Sequence, residues 1–181
     1  MAFLGVGGKV TAVHVRRLRP GEWATLRAVR LAALADAPGA FGSTVARELA
    51  FGEAEWRDRA VNAPNFIAWY EDKPVGLVTV ICRQNDDGTG SPPEWELVSM
   101  WVSPGARGSG AADLLVSAVA GVVRAESGQQ VTLWVADGND RARAFYLKAG
   151  FRPTGLRQTY RRGDGSAFDE EKLAMPLPPV R

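Results

Sequence analysis

Cysteine and histidine are almost missing from this sequence. Of 181 residues, one is cysteine, Cys82, and one is histidine, His14. A single cysteine excludes an internal disulfide and any cysteine-based metal cluster. A single histidine leaves little for a zinc site or a Ser-His-Asp triad. Both fit a reducing compartment, and a cytoplasmic location is expected. An excess of one charge is missing too. Twenty-two Lys and Arg face 20 Asp and Glu, a net +2, so nothing demands nucleic acid or an anionic membrane as a partner. The basic residues are scattered, although Arg16, Arg17 and Arg19 cluster, as do Arg161 and Arg162; both groups read as solvated strand ends. No apolar run is long enough to span a bilayer. The apolar start MAFLGVGGKV is too short and too weakly charged for a secretory signal. There is no internal repeat, and the length suffices for one domain with a proper core.

What is present is a strand, a turn and a helix start in 94–125, EWELVSMWVSPGARGSGAADLLVSAVAGVVRA. Residues 94–103 are apolar, rich in Val, Trp and Leu, and carry no helical stripe, which predicts a strand. Pro104 and Gly105 stop it. Arg107, Gly108, Ser109, Gly110, Ala111 and Ala112 then open a run, 114–123, with apolar residues at helical spacing. The first N–H groups of a helix have no partner inside it, and the helix dipole adds positive charge there. Small residues let a phosphate approach the backbone, and Arg107 adds a planar fork of donors. The stretch therefore reads as a pyrophosphate cradle.

Three phosphate motifs compete for it. The nucleoside triphosphate loop needs Lys and Ser/Thr where Ala111 and Ala112 stand, so it fails. The dinucleotide fingerprint fits Gly108 and Gly110 but meets Asp113 at its third place, where a charge opposes the pyrophosphate. The third pattern, Arg/Gln-x-x-Gly-x-Gly/Ala three residues past Val-x-Pro, is satisfied in register by Val102, Ser103, Pro104 and 107–112. This resembles the acyl-CoA-binding motif of the GCN5-related N-acetyltransferases. The resemblance implies acetyl-CoA as co-substrate, no metal, and pantetheine contacts from the backbone of Met100, Trp101 and Val102, in the manner of an added strand.

The rest of the chain predicts a loose tail over 1–8 and one domain over 9–178. Residues 10–18 alternate as a first strand. A helix runs from Pro20 to about Ala35, 40–52 is ambiguous, and 53–63 is helical. Strands cover 66–70 and 74–83 around a turn at 71–73, and 85–93 is a loop. A strand over 130–136, a helix over 139–149 capped by Gly150, and strands over 151–161 and 168–175 follow the central pair. The order is strand, two helices, three strands, helix, strand, helix, two strands. One mixed sheet with helices on both faces would bury it. This is the order of the acyl-CoA N-acyltransferase fold, an α/β architecture whose single, mostly antiparallel sheet has about seven strands.

A second motif continues the resemblance. Leu133 and Val135, then Asn139, Ala142, Tyr146, Gly150 and Phe151, stand at the family's spacing. On a helix, Asn139, Ala142 and Tyr146 share one face. The bland reading makes Asn139 an N-cap and Tyr146 a core aromatic. The implied reaction moves an acetyl group from a thioester to an amine, which must be neutral to attack although its ordinary pKa is about 10. By its match to the family's tyrosine, Tyr146 is the candidate general acid for the departing thiolate. Glu96, six residues before Val102, matches the glutamate base of the family's histone acetyltransferases; apolar neighbours would raise its pKa. A partly exposed carboxylate at the strand's start is the plain alternative for Glu96. Glu94 or a water chain are the other routes for the proton.

The acceptor is not named by any residue. In the family it is selected by the segment between the first two helices and by the loop joining the last two strands, here 41–59 and 161–169. Asp164, Asp169, Glu170 and Glu171 read there as surface charge. The expected acceptor is a primary amine of a small molecule or peptide, and exposed final strands suggest a homodimer. A catalytically idle acyl-CoA-binding module is the other class of function that fits; a pyridine-nucleotide oxidoreductase is a distant third.

Overall fold

The computed structural model describes residues 12–84, 92–162 and 164–178. The tail expected over 1–8 and most of the loop expected over 85–93 lie outside the described residues. Seven strands form one sheet in the order β1-β2-β3-β4-β5-β7-β6. They are β1 His14–Arg17, β2 Asn65–Tyr70, β3 Lys73–Arg83, β4 Glu94–Val102, β5 Gln130–Ala136, β6 Arg152–Arg161 and β7 Ala167–Pro176. Only β4 and β5 run parallel; every other neighbour pair is antiparallel. The chain must cross over to make that one parallel pair, and α4 (Ala111–Ala125) is the crossover.

Among the described residues there are five α-helices. α4 and α5 (Asp140–Lys148) lie on one face, where Leu115, Val119 and Val123 pack with Val78, Val80, Leu97, Val131, Leu133, Phe151 and Leu173. α1 (Trp23–Asp36) and α3 (Glu53–Asn62) lie on the other, closing over Ile67 and Leu77. Adjacent residues of β3, Leu77 and Val78, thus point to opposite layers, as a strand buried on both sides requires.

Two expectations need correction. The ambiguous 40–52 contains a further short helix, α2 (Val45–Leu49), so three helices precede β2 rather than two. Its N-cap is Thr44, whose hydroxyl accepts from the Arg47 N–H at 3.2 Å. A five-residue helix is too short to show a period, so only the cap could have signalled it. The first strand is also shorter than 10–18: within the described residues it is His14–Arg17.

The arginines read as solvated strand ends are partly tied down. Arg16 meets Glu22 at 2.7 Å and lies over the Trp69 ring. Arg162 donates to the carbonyls of Phe41, Pro38 and Gly39, joining the end of β6 to the chain after α1.

Candidate active site

The site is built on β4, where two irregularities coincide. β4 and β5 share one register pair, Glu96 with Thr132, and diverge beyond it. Past that point the edge of β4 that faces β5 has no strand partner among the described residues. Opposite, Thr79 pairs with Val98 and Leu77 with Trp101, so Val78 faces two residues, Ser99 and Met100. This is a β-bulge. Ser99 carries it in the left-handed region, at φ 58°, a conformation that a side chain makes unfavourable by about 1–2 kcal/mol.

The bulge reverses the facing of everything after it. Met100 and Val102 pack into the α4 layer, and Trp101 crosses to the α1 layer. There its indole Nε1 donates to Asp36 Oδ2 at 2.9 Å. The same oxygen accepts from Arg107 Nη2, while Arg107 Nε donates to the Val102 carbonyl at 3.1 Å. Asp36, the last residue of α1, thus gathers Trp101 and Arg107. No motif singled it out, because its partners are 65 and 71 residues away.

The turn after β4 has the backbone that the spacing predicted. Gly108 and Gly110 both take positive φ, 85° and 84°, and Gly110 is the N-cap of α4 with no side-chain cap. Nothing lies within 4 Å of where a Cβ on Gly105, Gly108 or Gly110 would stand. Among the described residues the N–H groups of Gly108, Gly110, Ala112 and Asp113 have no partner. Ser109 is held inward, its hydroxyl donating to the Ala106 carbonyl at 2.7 Å. Open space, free donors and a nearby guanidinium suit the pyrophosphate of a CoA ester. Ala111, 1% exposed, is the packed foot of the helix.

α5 carries the second set. Asn139 is the N-cap, its Oδ1 accepting from the Ala142 N–H at 3.3 Å, so the capping role is real, and among the described residues the amide Nδ2 has no partner. Ala142 packs at the margin of the α4 layer. A Schellman motif ends the helix: Phe151 N–H reaches the Tyr146 carbonyl at 3.0 Å and Gly150 sits at φ 105°. Tyr146 is 7% exposed, between Phe145 and Phe151 with ring centroids 5.4 and 5.5 Å away. Burial pushes its phenol well above the ordinary tyrosine value, so it stays protonated. Its hydroxyl makes no hydrogen bond among the described residues.

On the α1 face, a cleft of about 830 Å³ opens beside the divergence. Its lining includes Glu94, Glu96, Ser99, Trp134, Tyr160 and Glu170; Tyr146 is not part of it. Glu96 is 6% exposed, but its surroundings are not the apolar ones expected: Arg83 Nε donates to its Oε2 at 2.5 Å. Glu94 accepts from Lys172 and Thr132, each at 2.5 Å. Burial raises the Glu94 pKa, but those two partners outweigh it and hold the carboxyl below its ordinary range. Glu170, read from sequence as surface charge, is 7% exposed and accepts from Gln158 Nε2 at 2.6 Å. Strand alternation, with Leu173 in the core, could have put Glu170 and Lys172 on the opposite face; it could not have shown a cleft there.

One wall of the cleft is a buried ion cluster. Arg30 donates to both oxygens of Glu48, which is fully buried, and Arg59 meets Glu48 at 2.9 Å. Arg30 also lies over the Phe41 ring, 4.7 Å from its centroid. Burial raises the Glu48 pKa, yet the two guanidiniums overcome it and hold the carboxyl below its ordinary range. Among the described residues no group of three His, Cys, Asp and Glu could hold a metal ion, and no helix is long and apolar enough to cross a membrane.

A diverging parallel pair, a glycine turn before a helix and a cleft behind them meet at one region of the sheet. The acetyltransferase (GNAT) family matches residues 29–151, and the chain belongs to that family. Solved structures share the fold at low identity. A GNAT acetyltransferase from Streptococcus pneumoniae is 16% identical with a TM-score of 0.73, over 92% of this chain and 99% of that one. Arabidopsis thaliana NAA60, solved with a bisubstrate analogue, is 15% identical with a TM-score of 0.70, over 93% and 100%. A ribosomal-protein-alanine N-acetyltransferase from Brucella melitensis is 19% identical with a TM-score of 0.68, over 91% and 99%. No curated protein matches the chain.

Proposed function

We propose that this protein is an N-acetyltransferase that moves the acetyl group of acetyl-CoA to a primary amine of a small molecule or peptide, by direct attack in a ternary complex. The observation that carries the reading is the divergence of β4 from β5, with the free N–H groups of the α4 turn at one end and a carboxylate-lined cleft on the α1 face. Acetyl-CoA supplies an activated acyl group as a thioester. Gly108, Ser109, Gly110, Ala111, Ala112 and Arg107 bind its pyrophosphate. Asn139 and Ala142 border the arm, and the unpaired edge of Met100, Trp101 and Val102 hydrogen-bonds to it. A backbone N–H from this edge stabilises negative charge on the acyl oxygen.

The acceptor amine must lose a proton, and Glu96, directly or through water, is the carboxylate that the family resemblance assigns to that task. Tyr146, held protonated by burial, delivers a proton to the departing sulfur. The Brucella and Arabidopsis relatives support acetyl transfer to an amine, but at 19% and 15% identity they leave the acceptor open. β6 is one of the two edge strands and is exposed along all ten residues, and it is the surface on which a homodimer would form.

The test is release of free CoA thiol from acetyl-CoA against amino acids, polyamines, aminoglycosides and short peptides. Thiol release with one amine class establishes the transferase and its acceptor. Tight acetyl-CoA binding with no release for any amine would instead support an idle binding module.

A further inference from the structure

We propose that Glu170, rather than Glu96, takes the proton from the acceptor amine. The assignment rests on the transferase reading above. It begins with register. Glu96 on β4 is level with Thr132 on β5. Ala136, four residues further along β5, is level with Glu170 on β7. β4 and β5 are parallel, so four residues of advance, about 13 Å, carries the level on β4 from Glu96 to Trp101, the Ser99 bulge taking up the one extra residue. That level is just past the Ser99 bulge, on the free edge of β4. Glu170 is level with the Met100–Val102 edge that the transferase reading assigns to the thioester arm, and Glu96 stands five residues short of that level.

Bonding separates the two carboxylates further. Taking a proton on Glu96 gives up the negative charge that pairs with the Arg83 guanidinium on its Oε2. Glu170 has one polar partner among the described residues, the neutral Gln158 amide on its Oε1, and its Oε2 is free. Both carboxylates are buried in the same cleft. Burial, with help from the charge of Glu96, holds Glu170 above the ordinary carboxylate range against the opposing hydrogen bond from Gln158. A base with a pKa moved toward the working pH is the more effective one. The other charged or titratable groups facing that cleft are Arg30, Arg47 and Arg59 from the helices, Arg83 and Glu94 from β3 and β4, and Tyr160, Arg161 and Lys172 from β6 and β7.

The step balances as follows. From the neutral amine, Glu170 Oε2 takes one N–H proton as the nitrogen lone pair forms the N–C bond to the acetyl carbon. The C–S bond breaks and its electron pair stays on sulfur. Tyr146 gives its hydroxyl proton to that sulfur. Water then returns the proton from Glu170 to the Tyr146 phenolate, so the sum is one proton moved from nitrogen to sulfur.

The experiment compares wild type, Glu170→Gln, Glu170→Asp and Glu96→Gln, using acetyl-CoA and the fastest amine of the panel, with kcat/KM measured from pH 5 to 9. Acetyl-CoA titration calorimetry and circular dichroism check that each variant is folded. Expected are a fall in kcat on the order of a hundredfold or more for Glu170→Gln, loss of its acidic limb, and unchanged acetyl-CoA affinity. Glu170→Asp restores the limb and part of the rate, and Glu96→Gln keeps the limb. A Glu170→Gln enzyme within about threefold of wild type, or a limb lost in Glu96→Gln instead, overturns the assignment while leaving the transferase reading intact. A wild type that binds acetyl-CoA and releases no thiol with any amine overturns the parent reading and this one with it.

Discussion

Replacing Glu48 with Leu removes the anion that two arginines share. The Arg30 and Glu48 side chains are 8% and 0% exposed, so this pair is out of water. Removing one partner of such a pair destabilises by about 3–5 kcal/mol, because the remaining charge stays buried and unpaired. Arg59 is 40% exposed, is screened by solvent, and adds about 0–1 kcal/mol at most. The expected loss is therefore set by Arg30, about 3–5 kcal/mol. For a chain of this size one kcal/mol moves Tm by about 2–4 °C, so Glu48→Leu should melt roughly 6–20 °C lower. Replacing both partners, Arg30→Met with Glu48→Leu, removes the stranded charge and should recover most of that loss. Differential scanning calorimetry with urea titration measures both. A single variant that loses less than about 1 kcal/mol, or a double variant no more stable than the single, would refute the reasoning. Because Arg30 covers Phe41 and reaches toward Ser99 Oγ at 3.5 Å, the acceptor KM should rise in Glu48→Leu while acetyl-CoA affinity holds.

Arg107→Ala removes the guanidinium beside the α4 turn and should weaken acetyl-CoA binding roughly ten- to hundredfold, the range of a hydrogen bond to a charged group; calorimetry that finds no change would exclude it from the cofactor site. Tyr146→Phe keeps the ring contacts with Phe145 and Phe151, so stability and acetyl-CoA affinity should hold while kcat drops on the order of a hundredfold. Retention of full kcat removes Tyr146 from the mechanism. Gly110→Ala meets no neighbour within 4 Å but forces a Cβ onto φ 84°, so urea titration should show a loss of about 1–2 kcal/mol. Gly105→Ala, equally open and not left-handed, should be neutral, and a loss at both positions would point to crowding instead of backbone strain.

Local chemistry made much of this protein readable in its sequence. The β5 strand, the α5 cap at Asn139, the Schellman glycine at 150 and the positive-φ glycines of the α4 turn each depend on residues within a few positions of one another, so their spacing carries the information. The single mixed sheet follows from the order of those elements. The features that shape the acceptor side arise from residues distant in sequence. The Ser99 bulge exists only because β3 runs one residue short opposite β4, and it alone sends Trp101 to Asp36. Glu96 looked like a carboxylate among apolar neighbours until the β3 pairing brought Arg83 to it. Glu170 looked like surface charge until β6 and the cleft closed around it. Periodicity assigned each residue a face of its own element; only the tertiary structure decided what stood opposite, because burial and ion pairing are set by strands that meet tens of residues apart.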